Sequence, residues 1–170
     1  MAGVAARLRR PVRSLAPDTF ERALAIGAAL LLAAVVVAIG RGANDWARVP
    51  PLVWAHLLTV IVALALTPVI LLGRRGTGAH RRLGWMWATA MMATALLSFG
   101  VRQANDGHFS LIHILSAWTV LQVPLIVWSA RTHNLRLHRT ATRGMIMGAL
   151  LIAGFFTFPF NRLLGHWLFS

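Results

Sequence analysis

Residues 56–82, HLLTVIVALALTPVILLGRRGTGAHRR, decide the fold, because residues 113–139, HILSAWTVLQVPLIVWSARTHNLRLHR, repeat the same pattern. Each copy begins with a histidine, has one proline near the middle of an apolar run, and ends in a His-Arg pair. These positions are His56, Pro68 and His80 in the first copy, and His113, Pro124 and His138 in the second. The histidines are 24 residues apart in one copy and 25 in the other. Since an apolar helix of about 17 to 25 residues crosses a bilayer, each copy is predicted to place one histidine near each membrane face.

The composition is typical of an integral membrane protein. Of the 170 residues, 58% are hydrophobic and only 12% are charged, and the mean hydropathy is +0.68. Five apolar runs are long enough to be membrane-spanning helices, at residues 23–39, 52–72, 83–101, 110–130 and 144–158. We therefore expect an all-α fold, an integral membrane bundle of five transmembrane helices, because a chain in lipid must satisfy its own backbone hydrogen bonds.

The chain is predicted to divide into a short arm and one membrane domain. Residues 1–21 are expected to form a basic cytoplasmic arm, and residues 22–170 a single transmembrane domain. Its last four helices, within residues 50–165, are predicted to form a four-helix core of two hairpins. Both copies of the repeat enter the membrane from the same side, so the hairpins are parallel repeats. Helix 1 is almost purely aliphatic and is expected at the lipid-facing edge of this core.

The charge pattern predicts an orientation in the membrane. All 17 basic residues are arginines, and most of them cluster in the N-terminal arm and in two of the loops, around residues 74–82 and 131–143. The excess of positive charge on cytoplasmic loops predicts a multi-pass protein of the inner (cytoplasmic) membrane, with a cytoplasmic N-terminus and an external C-terminus. We expect the arginines to contact anionic headgroups of the lipid bilayer, and their distribution argues against a nucleic-acid partner. The chain has no cysteine, which excludes disulfides and thiolate sites.

The four histidines of the repeat are the candidate functional residues. On the predicted topology, His56 and His113 lie about one turn inside the outer ends of helices 2 and 4. His80 and His138 lie at the inner ends of helices 3 and 5. Two facing imidazoles can hold a b-type haem through both axial positions of its iron, so the two pairs would hold two haems and pass electrons across the membrane. Zinc fits less well, because two histidines fall short of its usual four ligands.

A second interpretation requires no cofactor. Histidines near a membrane interface can bond to headgroups or cap a helix, and the chain would then be a non-catalytic membrane accessory or partner subunit. We expect that interfacial role for His108, His133 and His166. A small transporter is a third option, but the spans hold no acidic residue to which transport could be coupled. The acidic residues, all near predicted membrane edges, are Asp18, Glu21, Asp45 and Asp106.

Three short segments resemble known families. AHRRLGW at residues 79–85, HFSLIH at 108–113 and LHR at 137–139 resemble an uncharacterised family of bacterial integral membrane proteins, catalogued as a domain of unknown function. More distantly, the chain is similar to cytochrome b561-type di-haem membrane proteins, in which four core helices each provide one histidine. That resemblance implies one haem between His56 and His113, a second between His80 and His138, and a redox partner or a second copy of the chain as partner. It adds no motif for a particular electron donor.

Overall fold

The computed structural model describes residues 16–101, 111–159 and 162–169, so most of the predicted basic arm and His108 lie outside the described residues. The described residues contain no β-strand, which confirms the all-α prediction. The α-helices are α1 (Thr19–Arg41), α2 (Pro51–Leu72), α3 (Gly78–Ser98), α4 (Leu111–Arg131), α5 (Leu135–Met145), α6 (Ala153–Phe155) and α7 (Leu163–Phe169). A 3₁₀ helix, Ala43–Arg48, follows α1, and a π-helical segment, Ile146–Ile152, joins α5 to α6.

The helices begin where local side chains satisfy their first backbone N–H groups. Asp18 caps α1 through a capping box, in which its carboxylate accepts from the Glu21 backbone N–H and the Glu21 carboxylate accepts from the Asp18 backbone N–H. Pro51 is the first residue of α2, a position where the missing N–H of proline costs no helical hydrogen bond. The side chains of Thr77 and Asn134 accept hydrogen bonds at the starts of α3 and α5.

Two helices begin earlier than their apolar runs predict. The third helix was expected from residue 83 and begins at Gly78, and the fifth was expected from residue 144 and begins at Leu135. The reason is that the Thr77 and Asn134 caps start each helix inside a polar, arginine-containing segment, which hydropathy alone assigns to a loop. As a result, both His80 and His138 lie in the first turn of a helix rather than in a loop.

The helices pack in the order of the chain. α2 packs against α3, α3 against α4, and α4 against α5, while α1 packs against α2, α7 and the π-helical segment. The α1 residues that face these neighbours are at most 3% exposed: Leu24, Ala25, Ala28, Val35 and Ala38. Helix 1 therefore packs against its neighbours through these residues while Ile26 and Leu30 stay exposed, and its position at the lipid-facing edge stays a prediction. The C-terminal segment also packs inward, since Trp167 of α7 is only 2% exposed.

Three helices are long and apolar enough to span a membrane: Thr19–Arg41, Pro51–Leu72 and His113–Arg131 within α4. Their outward faces carry large apolar side chains, such as Leu30, Leu58 and Leu121, which are 67%, 62% and 74% exposed. Water solvates such an apolar face poorly, whereas lipid chains solvate it well. The prediction of a membrane protein with transmembrane helices is confirmed to this extent.

Candidate functional site: four histidines and a buried arginine–carboxylate cluster

His56 is fixed in orientation by the neighbouring helix. It lies in the second turn of α2, and its Nδ1 is 3.1 Å from the backbone carbonyl oxygen of Thr94 on α3. Because a carbonyl can only accept, Nδ1–H must be the donor, and the other ring nitrogen, Nε2, then carries a lone pair. This is the tautomer in which an imidazole binds a metal through Nε2, with its other N–H held by a backbone carbonyl.

His113 lies against the same end of α3. Its side chain is 6% exposed, and its ring centroid is 6.1 Å from that of Phe99, at the C-terminal cap of α3. One turn further along α4, the Ser116 hydroxyl oxygen is 2.5 Å from that of Ser98. The predicted outer pair is thus placed on the two helices that flank α3, with both histidines beside its last turns.

Hydroxyl groups accompany the outer histidines. The Thr94 hydroxyl donates to the Thr59 hydroxyl at 2.8 Å, and Thr59 in turn donates to the backbone carbonyl of His56. Together with the Ser98–Ser116 contact, these bonds link α2, α3 and α4 through polar groups in an otherwise apolar bundle. Buried hydroxyls that bond to one another and to backbone carbonyls hold helices in register and fix the side chains around them.

His80 and His138 lie in the first turns of α3 and α5, at the other end of the bundle. His138 holds its Nδ1 at 3.0 Å from the backbone carbonyl of Ile126 on α4, so the same ring nitrogen donates as in His56. Among the described residues, the buried His80 Nδ1 has no hydrogen-bond partner.

The remaining histidines that the structure describes lie on its surface. His133 is exposed in the turn between α4 and α5, where its φ of 55° is in the left-handed region. His166 is exposed on α7. The interfacial role expected of them stays a prediction.

The sequence analysis missed a buried ion cluster around Glu21. This side chain, in the first turn of α1 and only 1% exposed, accepts from three arginines. Arg75 donates at 2.5 Å from the loop between α2 and α3, and Arg139 donates through Nε at 2.7 Å and Nη2 at 2.8 Å. Arg143 donates through Nε at 3.2 Å and also pairs with Asp18, whose second arginine partner is Arg139 at 3.1 Å. These three arginines therefore bind carboxylates within the protein, and the contact with lipid headgroups expected of the arginines stays a prediction.

The cluster joins three distant parts of the chain at one end of the bundle. The start of α1, the loop between α2 and α3 and one face of α5 all meet on Glu21. The backbone N–H of Glu21, followed by the Arg143 guanidinium, lowers the pKa of the Asp18 carboxyl. The hydrogen bond to Glu21 raises the pKa of Arg139, so this arginine stays charged. The D-x-x-E capping box is the one local signal that could have drawn attention to Glu21.

Comparison with known proteins adds no relative: no family model, no curated protein and no solved structure matches this chain.

Proposed function

We propose that this chain is an integral membrane protein that passes electrons across the bilayer through two b-type haems, each held by two histidines. The observation that carries the proposal is the matching orientation of two histidines from different copies of the repeat. His56 and His138 each donate Nδ1–H to a backbone carbonyl of a neighbouring helix, which leaves Nε2 available to iron. Histidines that merely faced headgroups would have no need of this bond inside the bundle.

The inner pair, His80 and His138, has the donor chemistry that iron in a haem needs. The Ile126 carbonyl fixes the His138 ring, and the described residues leave the buried Nδ1 of His80 without a partner. An uncompensated buried ring nitrogen is costly, and coordination would satisfy it.

The outer pair, His56 and His113, would hold the second group. The Thr94 carbonyl orients the His56 ring, and the burial of His113 keeps water away from it. Iron held between two imidazoles gains and loses one electron without changing its ligands, which suits a relay between the two faces of a membrane. The chain's own contribution is to hold the four rings, fix their tautomers and exclude water at both ends.

The same proposal includes five membrane crossings and two parallel hairpins. α3 has 21 residues, so at 1.5 Å per residue it is about 31 Å long, enough for a hydrocarbon core of about 30 Å. It packs along α2 after a connection of only a few residues, and α5 with its π-helical extension packs along α4 in the same way. If α2 and α4 cross the membrane, their antiparallel partners return across it. The meeting of arginine-rich segments on Glu21 supports a cytoplasmic position for that end, in the bacterial inner membrane.

Kinship with the uncharacterised bacterial membrane-protein family, and more distantly with the cytochrome b561-type proteins, belongs to this proposal as well. It is supported by the repeat, in which each copy has a proline-containing helix followed by a capped helix with a histidine in its first turn. Position for position, the four candidate ligands are those that the distant resemblance implies.

A membrane accessory without a cofactor is the second candidate, and one observation favours it. The His56 bond to Thr94 ties α2 to α3, and the His138 bond to Ile126 ties α5 to α4. Histidines that only stabilise helix packing would make the same bonds. The two candidate functions therefore differ in whether Nε2 binds haem iron, and the visible spectrum of the purified protein reports whether haem is bound.

The test is a reduced-minus-oxidised visible spectrum of the full chain, purified in detergent from cells supplied with haem. We expect a sharp b-type α band, and we expect His138→Ala to lose one haem per chain. The matched control is His133→Ala, an exposed histidine five residues earlier in the chain, which should keep both haems. The absence of a band from the folded wild-type protein would leave the accessory interpretation in its place. Equal haem content in all three proteins would refute the assignment of His138 as a ligand.

A further inference from the structure

A cleft opens beside the Glu21 cluster, between the segment that leads into α1 and one face of α5. Its volume is about 410 Å³, and the side chains that matter for its chemistry are Asp18, Arg136, Arg139, Thr140 and Arg143. Four of these are spaced at i, i+3, i+4 and i+7 along α5, which puts them on one face of the helix. The cleft is therefore walled on one side by three arginines and a hydroxyl.

The arginines of the cleft have donors that the carboxylates do not use. Arg139 and Arg143 each bond to Asp18 and Glu21 through Nε and Nη2. Within the described part of the chain, no hydrogen bond involves Nη1 of either residue, and Arg136 is exposed and forms no ion pair there. Each guanidinium Nη1 carries two N–H groups, so several charge-assisted donors line the cleft.

The charges of this region do not balance. Together with Arg75, the three arginines of the cleft bring four positive charges against the two carboxylates of Asp18 and Glu21. Asp18 is the carboxylate among the residues that line the cleft. Glu21 is buried and is already shared by three arginines. An excess of positive charge in a concave site attracts and holds an anion.

We propose that this cleft binds a phosphate group, carried by an anionic phospholipid headgroup or by a soluble phosphate. Guanidinium groups bind phosphate oxygens through paired N–H donors, and a nearby hydroxyl can donate a further hydrogen bond. The cleft lies at the start of α1, a candidate membrane span, and the ends of such spans lie near the lipid headgroups. Basic pockets between helices on the cytoplasmic side are a common site for anionic lipid headgroups. This site is independent of the four histidines and of any electron transfer.

The test measures binding to the full-length protein in neutral detergent by titration calorimetry, with three probes. They are a short-chain phosphatidylglycerol, a short-chain phosphatidylcholine and inorganic phosphate. The main variant is Arg136→Ala, because Arg139 and Arg143 also hold Glu21 and their loss would disturb the fold. The matched control is Arg22→Ala, which removes an exposed arginine from the same end of α1 but outside the cleft.

We expect Arg136→Ala to weaken binding about tenfold, which corresponds to about 1.4 kcal/mol, and Arg22→Ala to leave it unchanged. Asp18→Asn keeps a good helix cap but removes the negative charge of the cleft, so it should strengthen binding. Binding of phosphatidylglycerol alone identifies a lipid headgroup as the source, and binding of inorganic phosphate as well identifies a soluble phosphate. Equal weakening by Arg136→Ala and Arg22→Ala, equal binding of phosphatidylcholine and phosphatidylglycerol, or no binding of any probe would overturn the proposal.

Discussion

Replacing Glu21 by glutamine should destabilise the whole bundle, because this single carboxylate holds three arginines. The side chain is 2% exposed, and its arginine partners Arg75, Arg139 and Arg143 are 16%, 28% and 24% exposed. Glutamine offers one acceptor oxygen instead of two and turns an N–H₂ donor toward guanidinium donors. Breaking a buried ion pair by removing one partner costs about 3–5 kcal/mol. Since Asp18 still contacts two of the arginines, we expect the lower end, about 3 kcal/mol.

The assay is reversible unfolding in mixed detergent micelles, followed by the fluorescence of the tryptophans, two of which, Trp87 and Trp167, are buried. The matched control is Asp45→Asn, which breaks the ion pair between Asp45 and Arg48 on the 3₁₀ helix. The Arg48 side chain is 84% exposed, so solvent screens this pair and its loss should cost at most about 1 kcal/mol. Both variants remove one negative charge, but the Glu21 carboxylate is buried among three arginines, whereas Asp45 pairs with the exposed Arg48.

The reasoning fails if Glu21→Gln is no more destabilising than Asp45→Asn. A further check is the double variant Glu21→Gln with Arg75→Ala. Because the two side chains are hydrogen-bonded at 2.5 Å, their effects should be non-additive, with the double variant less unstable than the sum of the single variants. Strict additivity would mean that the contact contributes nothing to stability.

Three further variants test other contacts of the bundle. Because the pKa of Asp18 is lowered in the folded protein, its carboxylate stabilises the fold above the unfolded aspartate value of about 4, and this stabilisation is lost as the pH falls through the folded pKa. In unfolding measured from pH 7 to pH 2, Asp18→Asn should therefore weaken the dependence of stability on pH. In thermal unfolding, Gly165→Ala should destabilise by about 1–3 kcal/mol, since its Cβ would lie 1.7 Å from a backbone carbonyl oxygen, whereas Gly84→Ala, with open space around it, should not. Thr67→Val should cost about 1–3 kcal/mol in the same assay by leaving the buried Trp87 indole N–H without its acceptor at 3.0 Å, and a neutral result would refute that role.

The helical fold could be predicted from the sequence because it depends on local patterns. Apolar runs of the right length predict the three candidate spans. The spacing of Trp87, Met91 and Ser98 is that of one helical face, on which all three are buried in α3. Proline is favoured in the first turn of a helix, as Pro51 is in α2, for a reason that needs no tertiary contact. Patterns with a period of 3.6 residues are visible in any window of the chain.

The ion cluster could not be predicted, because its members are far apart in sequence. Glu21 pairs with Arg75 and Arg139 across 54 and 118 residues. Hydropathy also treats every arginine alike and gives no sign of which ones turn inward to a carboxylate. The π-helical segment Ile146–Ile152 was missed for a similar reason, since its apolar sequence carries no signal that distinguishes it from an α-helix.

The histidine site was predictable in part. The repeat identified His56, His80, His113 and His138, but it could not indicate which ring nitrogen each one uses. The carbonyl acceptors come from Thr94 and Ile126 on neighbouring helices, so the tautomers of His56 and His138 depend on packing.

Electron transfer across a sealed membrane tests the central claim most directly. The protein, purified from cells supplied with haem, is reconstituted into vesicles that enclose ferricyanide, and a membrane-impermeant reductant is added outside. We predict that the enclosed ferricyanide is reduced in vesicles with the wild-type chain and much more slowly with His138→Ala, whose Nδ1 bond to Ile126 orients a proposed ligand. A rate no higher than that of protein-free vesicles, from protein shown to be folded and inserted, would contradict the account.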